Sequence, residues 1–388
     1  MPYNVLITGG AGFIGSHTAD ALTREGYQVR VLDNLDPQVH GPNQRIPPYL
    51  NQSIEFIHGD IRDQDAVLRA LKGVQVVYHM AALTGVTQSM YEIHKYLDIN
   101  VTGTAALWDV IINKKIELEK VILASSRAVY GEGAYFCRSC ECEVFPLPRS
   151  EYQLERGEWK VKCPSCGEPI ELVPTREDKP LQPLSIYAQS KRYQEDICKS
   201  IGKTYGIPVI ILRYFNVYGP RQALSNPYTG VAPVFCNRIL MGKPIALYED
   251  GLPVRDFIHV EDVVQANLLA LGIVNKGCTI LNVGSGIKLT ILDIAHTICD
   301  LMEVEPRLEF TNQYRLGDIR SCFADISGAR QLLGFEPTID FKDGISNLIR
   351  WVMWQEDIVD GYEDSVSRLE QKGLLNRSSD DCHKTSFD

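Results

Sequence analysis

Three sets of residues in this chain have the types and spacing of working chemistry. Tyr187 and Lys191, in the run Tyr187-Ala188-Gln189-Ser190-Lys191, stand at i and i+4, so a helix carries phenol and ammonium on one face. A free phenol, with a pKa of about 10, is a poor base at neutral pH. A cation beside it favours the phenolate and brings it into working range. Ser126 adds a hydroxyl at the end of the apolar run 120–125. The carboxyl end of a sheet strand is where ligands bind in open α/β folds. The combination is suited to taking a proton from a substrate hydroxyl.

The second set is Gly9-Gly10-Ala11-Gly12-Phe13-Ile14-Gly15, between an apolar run and a helical stretch. Glycines there let the backbone turn tightly and approach a pyrophosphate, whose charge meets free N–H groups at the helix start. Asp33 ends the next apolar run, placed to accept hydrogen bonds from ribose hydroxyls. Its charge would repel a 2′-phosphate, which favours NAD over NADP.

The third set is sulfur. Of eleven cysteines, four form C-x-x-C pairs, Cys137/Cys140 and Cys163/Cys166, with the spacing of a four-cysteine zinc ribbon. Pro164 and Gly167 suit the tight turn of a knuckle. Four protein ligands imply a structural zinc ion; iron, free thiols or disulfides are the alternatives, and Cys142 is close enough to compete. Cys198, Cys236, Cys278 and Cys299 are expected to be small core residues.

The elements that must position these groups alternate. Strands are expected at 5–8, 28–33, 54–58, 74–79, 120–125 and 209–213, and helices at 13–25, 63–71, 91–113 and 186–205. Near-continuous apolar strands alternating with helices indicate an α/β, Rossmann-type, doubly wound parallel sheet. Residues 1–131 and 181–215 are read as the dinucleotide-binding domain, and 132–180 as an inserted zinc-ribbon-like module. Residues 216–355 are read as mainly a smaller substrate-binding lobe. The tail, 356–388, is expected to be partly disordered, above all 377–388.

Bulk properties narrow the class. A net charge of −10, with 45% hydrophobic and 23% charged residues, fits a globular protein and not a general binder of nucleic acid or anionic membranes. No apolar run is long enough to span a bilayer. A strand beginning almost at the N-terminus leaves no room for a signal peptide, so a cytoplasmic location is expected.

With Asp60-Ile61, His79-Met80-Ala81-Ala82, Asn100, Ser126-x-x-Val129-Tyr130-Gly131, Arg213-Tyr214-Phe215-Asn216-Val217-Tyr218-Gly219-Pro220-Arg221 and Arg255-Asp256-Phe257-Ile258-His259 added, a resemblance emerges. The chain resembles the extended short-chain dehydrogenase/reductases that act on nucleotide sugars, most closely the UDP-galactose 4-epimerase group. The resemblance implies a cofactor site that includes Gly9, Gly12, Phe13, Ile14, Gly15, Asp33 and Asn34. Asp60 and Ile61 would contact adenine, Asn100 and Phe215 would help hold the nicotinamide half, and Ala81, Ala82, Tyr187 and Lys191 would also bind the cofactor. It also implies that Asn216, Arg255 and Arg315 hold the diphosphate of a nucleotide sugar, with Arg320 a further candidate. Cys322 would gate the sugar pocket, and a homodimer would form through helices 91–113 and 186–205.

Family members differ in chemistry just before Val129. The 4,6-dehydratases place an acidic pair there and the decarboxylases a Glu, whereas this chain has Arg127 and Ala128. The resemblance therefore implies 4-epimerisation: oxidation at C4, rotation of the keto sugar and reduction on the other face. A 4-ketoreductase, a C3 or C5 epimerase and a non-catalytic nucleotide sensor are the alternatives. Residues 33–41 and the cysteine-rich insertion also resemble bacterial dTDP-L-rhamnose 4-epimerases, against a UDP-hexose or UDP-N-acetylhexosamine as substrate.

Overall fold

The computed structural model describes residues 3–224, 226–228, 230–274, 277–355 and 361–379. Seven parallel strands form the main sheet: β1 (Asn4–Thr8), β2 (Gln28–Asp33), β3 (Glu55–His58), β4 (Val76–His79), β5 (Lys120–Ser126), β6 (Val209–Tyr214) and β7 (Cys278–Val283). Their spatial order is β7-β6-β5-β4-β1-β2-β3, so the order in which strands are added reverses between β1 and β4 while all stay parallel. That switch point opens a crevice at the carboxyl ends of the strands.

Both faces of the sheet are covered, which is why its strands read as continuous apolar runs. On β1, Val5 and Ile7 face a cluster that includes Ala19 and Leu22 of helix α1 (Phe13–Arg24). Leu6 points the other way, into a cluster with Val67 and Leu71 of α2 (Gln64–Leu71) and Leu107 and Ile111 of α3 (Gly103–Asn113). Helix α4 (Ile186–Tyr205) adds Cys198 to that face, and α5 (Val260–Leu271) adds Val263 and Ala266 to the first.

Where one helix is expected over 91–113, the chain instead forms Ile93–Leu97, a π-turn at Asp98–Thr102, and α3. The extra residue of a π-turn commonly serves a functional side chain, here Asn100. Next to it, an added Cβ at Gly103 would meet Ile61 Cγ2 at 2.6 Å, so this glycine sets the close approach to the loop after β3. Cys198, Cys236 and Cys299 are buried as expected, but Cys278 is exposed, because it opens the edge strand β7.

The insertion is a three-stranded antiparallel sheet with Ala134–Cys137 between Cys142–Val144 and Glu171–Val173. It has a small core of its own around Tyr135, Val144 and Val161. The second lobe packs helices Val231–Leu240, Ile291–Leu301 and Phe341–Met353 around Phe235, Leu247, Ile298 and Leu348.

The segment expected to lack order begins inside structure. Leu375–Arg377 pairs antiparallel with Gln313–Arg315, and helix Tyr362–Gln371 precedes it. Ordered contacts continue to Ser379, whose N–H donates to Glu155 O at 2.8 Å; the rest of that expectation lies outside the described residues. No helix among the described residues is long and apolar enough to cross a membrane.

Candidate active site

Helix α4 starts cleanly because Ser185 caps it, accepting from Ala188 N at 3.1 Å. Tyr187 therefore sits in the first turn and Lys191 one turn on, both buried. One turn further, Glu195 fixes the helix to the sheet. It accepts Ser125 Oγ at 2.6 Å and both ends of the Arg213 fork at 2.9 and 2.8 Å. This bidentate pair holds α4 against the ends of β5 and β6.

Tyr187 and Ser126 line one cavity of about 420 Å³, together with Arg127, Phe215, Asn216, Arg255, Arg315 and Asp318. Burial pushes the Tyr187 phenol up from its ordinary range, while a hydrogen bond with Ser126 and the charge of Arg127 pull it down. Lys191 Nζ donates to Ala124 O at 2.9 Å, and burial lowers its pKa to about 8. A wider surface groove of about 610 Å³, beside Asp325 and Arg330, contains none of these groups.

Asn100 does not line the cavity. Fully buried, it brackets the main chain of Leu83, accepting from N at 2.8 Å and donating to O at 3.1 Å. It also donates to Ser190 Oγ at 2.9 Å, and so ties the loop after β4 to α4.

The glycine run follows β1 at the switch point. Gly9 has φ +69°, and an added Cβ would lie 2.8 Å from Ala81 N; at Gly15 it would lie 2.4 Å from Gly9 O. Gly12 caps α1 without a side-chain bond, and the first turn, with Phe13 and Ile14 half-buried, carries no acidic residue. That helix start is open to an anion. Asp33 is buried at the end of β2 and accepts Ala11 N at 3.0 Å and Leu35 N at 2.9 Å. Ala82 is half-buried in the loop after β4, Ile61 is buried, and Asn34 donates to Asp60 at 3.1 Å. Arg62 also bonds Asp60, holding that carboxyl down at about 2.

The substrate-side residues divide. Arg315 lies over the Tyr248 ring at 4.7 Å, with its Nε buried and without a partner. Arg255 reaches the cavity with its fork on the carbonyls of Val254, Ile319 and Arg320, and on Asp318 at 3.4 Å. Arg320 is not in the cavity wall: it is paired with Glu249 at 2.7 Å and with Asp250 at 2.6 and 2.7 Å. Cys322 is likewise fully buried behind the wall, 3.5 Å from Thr175 Oγ1.

Several cavity residues escaped the sequence reading. Tyr362, Ser365 and Leu369 of the C-terminal helix line it, as do Tyr248 and Asp318. His40, 3.8 Å from Asp33, and Arg62 on Asp60 were also missed. Only Arg62 left a sequence signal, its place two residues after Asp60.

Cys137, Cys140, Cys163 and Cys166 converge, their Sγ atoms all within 4.8 Å of one another. Cys142 stands apart, exposed and opposite Cys137 in the strand register.

Known proteins resemble this chain in sequence and fold. The family profile described as NAD dependent epimerase/dehydratase family matches residues 5–156 and 164–284. A dTDP-L-rhamnose 4-epimerase of Burkholderia thailandensis is 35% identical over 91% of this chain and 96% of its own. A putative UDP-glucose 4-epimerase of Methanocaldococcus jannaschii is 34% identical over 90% of this chain and 98% of its own. The crystal structure of UDP-glucuronic acid 4-epimerase from Bacillus cereus, in complex with UDP-glucuronic acid and NAD, superposes with a TM-score of 0.73. It is 28% identical, with 90% of this chain and 99% of that one covered. With its glycine turn at the switch point and its Ser126–Tyr187 cavity, this chain belongs to the NAD dependent epimerase/dehydratase family.

Proposed function

We propose that this NAD-dependent nucleotide-sugar epimerase inverts its sugar at C4. The observation that carries the reading is the shared cavity in which Ser126 and Tyr187 meet Arg315. Tyr187, as phenolate, takes the 4-hydroxyl proton while Ser126 hydrogen-bonds the same oxygen. Arg315, with a buried donor still to satisfy, and Arg255 hold the diphosphate while the 4-keto sugar turns about its bond to it. Tyr187 then returns the proton to the oxygen on the opposite face.

NAD, when bound, supplies the acceptor and donor of hydride for this transient oxidation and is not consumed. The chain fits it: the glycine turn admits backbone only, the α1 start is uncapped, and Asp33 stands where ribose hydroxyls would bind. Arg127 and Ala128 offer no carboxylate for elimination or decarboxylation. The substrate we infer is a pyrimidine nucleoside diphosphate hexose, the class that the names of the relatives above share. Turnover of such sugars by wild type and its loss in Tyr187→Phe test the reading; full activity in the variant would sink it.

The same proposal includes a structural zinc ion on Cys137, Cys140, Cys163 and Cys166, supported by their convergence and by the turn at Gly167, φ +78°. It further includes a homodimer covering Ile93 and Tyr193, which are 47% and 49% exposed on the two helices that pair in the family. A cytoplasmic setting would keep the thiolates reduced.

A further inference from the structure

Strand order puts β2 and β4 on either side of β1, whose carboxyl end carries the glycine turn. A dinucleotide reaching from Asp33 on β2 to the Ser126–Tyr187 cavity beyond β4 crosses the switch point between the loops that leave β2 and β4. Those two loops are joined to each other by a pair of glutamines. Gln38 Nε2 donates to Gln88 Oε1, and Gln88 Nε2 donates to Gln38 Oε1, each at 2.9 Å. Gln38 Nε2 also donates to Asn226 Oδ1 at 3.1 Å, in the segment whose Pro227 and Tyr228 line the substrate cavity.

The three amides are held ready to meet. Gln38 lies in the helical turn Pro37–His40, where the capping Asp36 accepts its main-chain N–H at 2.9 Å. Gln88 is buried; its nitrogen also donates to Glu92 Oε1 at 3.0 Å, and its carbonyl also accepts Tyr96 OH at 3.1 Å. An added Cβ at Gly85 would lie 3.0 Å from that carbonyl oxygen and 2.7 Å from the Tyr96 hydroxyl, so glycine there makes room for the amide. Asn226 is buried too, and its Oδ1 also accepts from Tyr228 N at 3.0 Å. Both hydrogens of each glutamine amide are thus in use. The bonds link segments 50 and 188 residues apart in the chain. None of the three side chains lines the substrate cavity.

We propose that Gln38, Gln88 and Asn226 form a clasp that retains NAD: the bonded amides close the crevice across the switch point, and the cofactor enters and leaves when Gln38 lets go. The proposal rests on the reading that NAD occupies the glycine turn. It supplies a physical reason for a cofactor that is regenerated in every turnover to stay on the protein.

The test is exchange of bound NAD against an excess of isotopically labelled NAD, read by mass spectrometry after desalting, together with the rate of NAD binding to stripped protein. A clasp must open for entry as for exit. Gln38→Ala should therefore speed both release and binding by on the order of tenfold, the worth of the hydrogen bonds lost, and move Kd far less than either rate. Asn226→Ala, which acts from the other loop, should speed both rates by less. The double variant should exceed Gln38→Ala little, because the two side chains share a bond. Rates unmoved in both single variants, with NAD bound by the wild type, would overturn the clasp alone. Faster release with unchanged binding would make Gln38 a contact of the bound cofactor and would overturn the clasp likewise. A wild type that binds no NAD would overturn the clasp and the cofactor reading together.

Discussion

Arg149, in the inserted module, meets Glu249, in the substrate lobe, through two hydrogen bonds of 2.7 and 2.9 Å. Both side chains are nearly dry, 3% and 6% exposed, and Arg320 completes a buried network on the same carboxylate. Glu249 and its neighbour Tyr248 line the sugar cavity, so the module is clamped to the site it borders. Without Arg149 the buried Glu249 carboxylate would keep only Arg320, which Asp250 also shares.

Arg149→Ala should therefore destabilise the protein by about 3 kcal/mol in denaturant unfolding. It should raise KM for the nucleotide sugar more than it lowers kcat. An unchanged unfolding midpoint would mean that the module merely rests on the lobe.

Tyr187→Phe should lower kcat by about 10²- to 10⁴-fold, the usual worth of a positioned proton-transfer group. NAD retention should be unaffected, which quantification of cofactor released on denaturation would check.

Asp33→Asn keeps shape and removes charge. NAD affinity, by calorimetry on stripped protein, should fall by about ten- to a hundredfold, as expected for a lost charge-assisted bond of about 1.5–3 kcal/mol. Preference against a 2′-phosphorylated cofactor should narrow in parallel.

Stability should decline on mild acidification. Burial holds His79 down to about 3 and His17 to about 4, against 6.5 for a free imidazole. Below pH 6.5 the unfolded chain binds protons that the folded chain refuses, so stability is present in full above that pH. It is lost as pH falls toward 4, by up to about 1.4 kcal/mol per pH unit per histidine. In urea titrations His17→Gln should flatten that slope; an equal slope in the variant would show that His17 is not protonated on unfolding.

Chelation should remove one zinc ion per chain and melt the module first. Because Glu132 accepts Arg320 N and Ser321 N at 2.7 Å each while its neighbours lead into the module sheet, the loss should reach the substrate lobe. Elemental analysis and a thermal scan, each before and after chelation, check this. A metal-free preparation with the same melting temperature would contradict it.

The sheet and the reacting groups were legible because local signals coincide with them. Tyr187 and Lys191 are spaced by one helical turn, and the glycines sit where a strand must become a helix. What stayed hidden depends on distant partners. Arg320 and Arg315 look alike in sequence, and only the acidic pair Glu249–Asp250 turns one of them from the cavity. Cys322 lies behind the wall because Thr175, arriving from the far side of the insertion, backs it. The C-terminal segment is polar on average, yet Leu369 and Leu375 are buried and fix it beside the site.

The most direct measurement is proton NMR in D₂O of the purified enzyme with a panel of pyrimidine nucleotide sugars and no added cofactor. Inversion at C4 by transient oxidation predicts a C4 epimer with no deuterium in the sugar ring. Deuterium at C3 or C5 of the product would mean enolisation and would contradict inversion at C4 by transient oxidation.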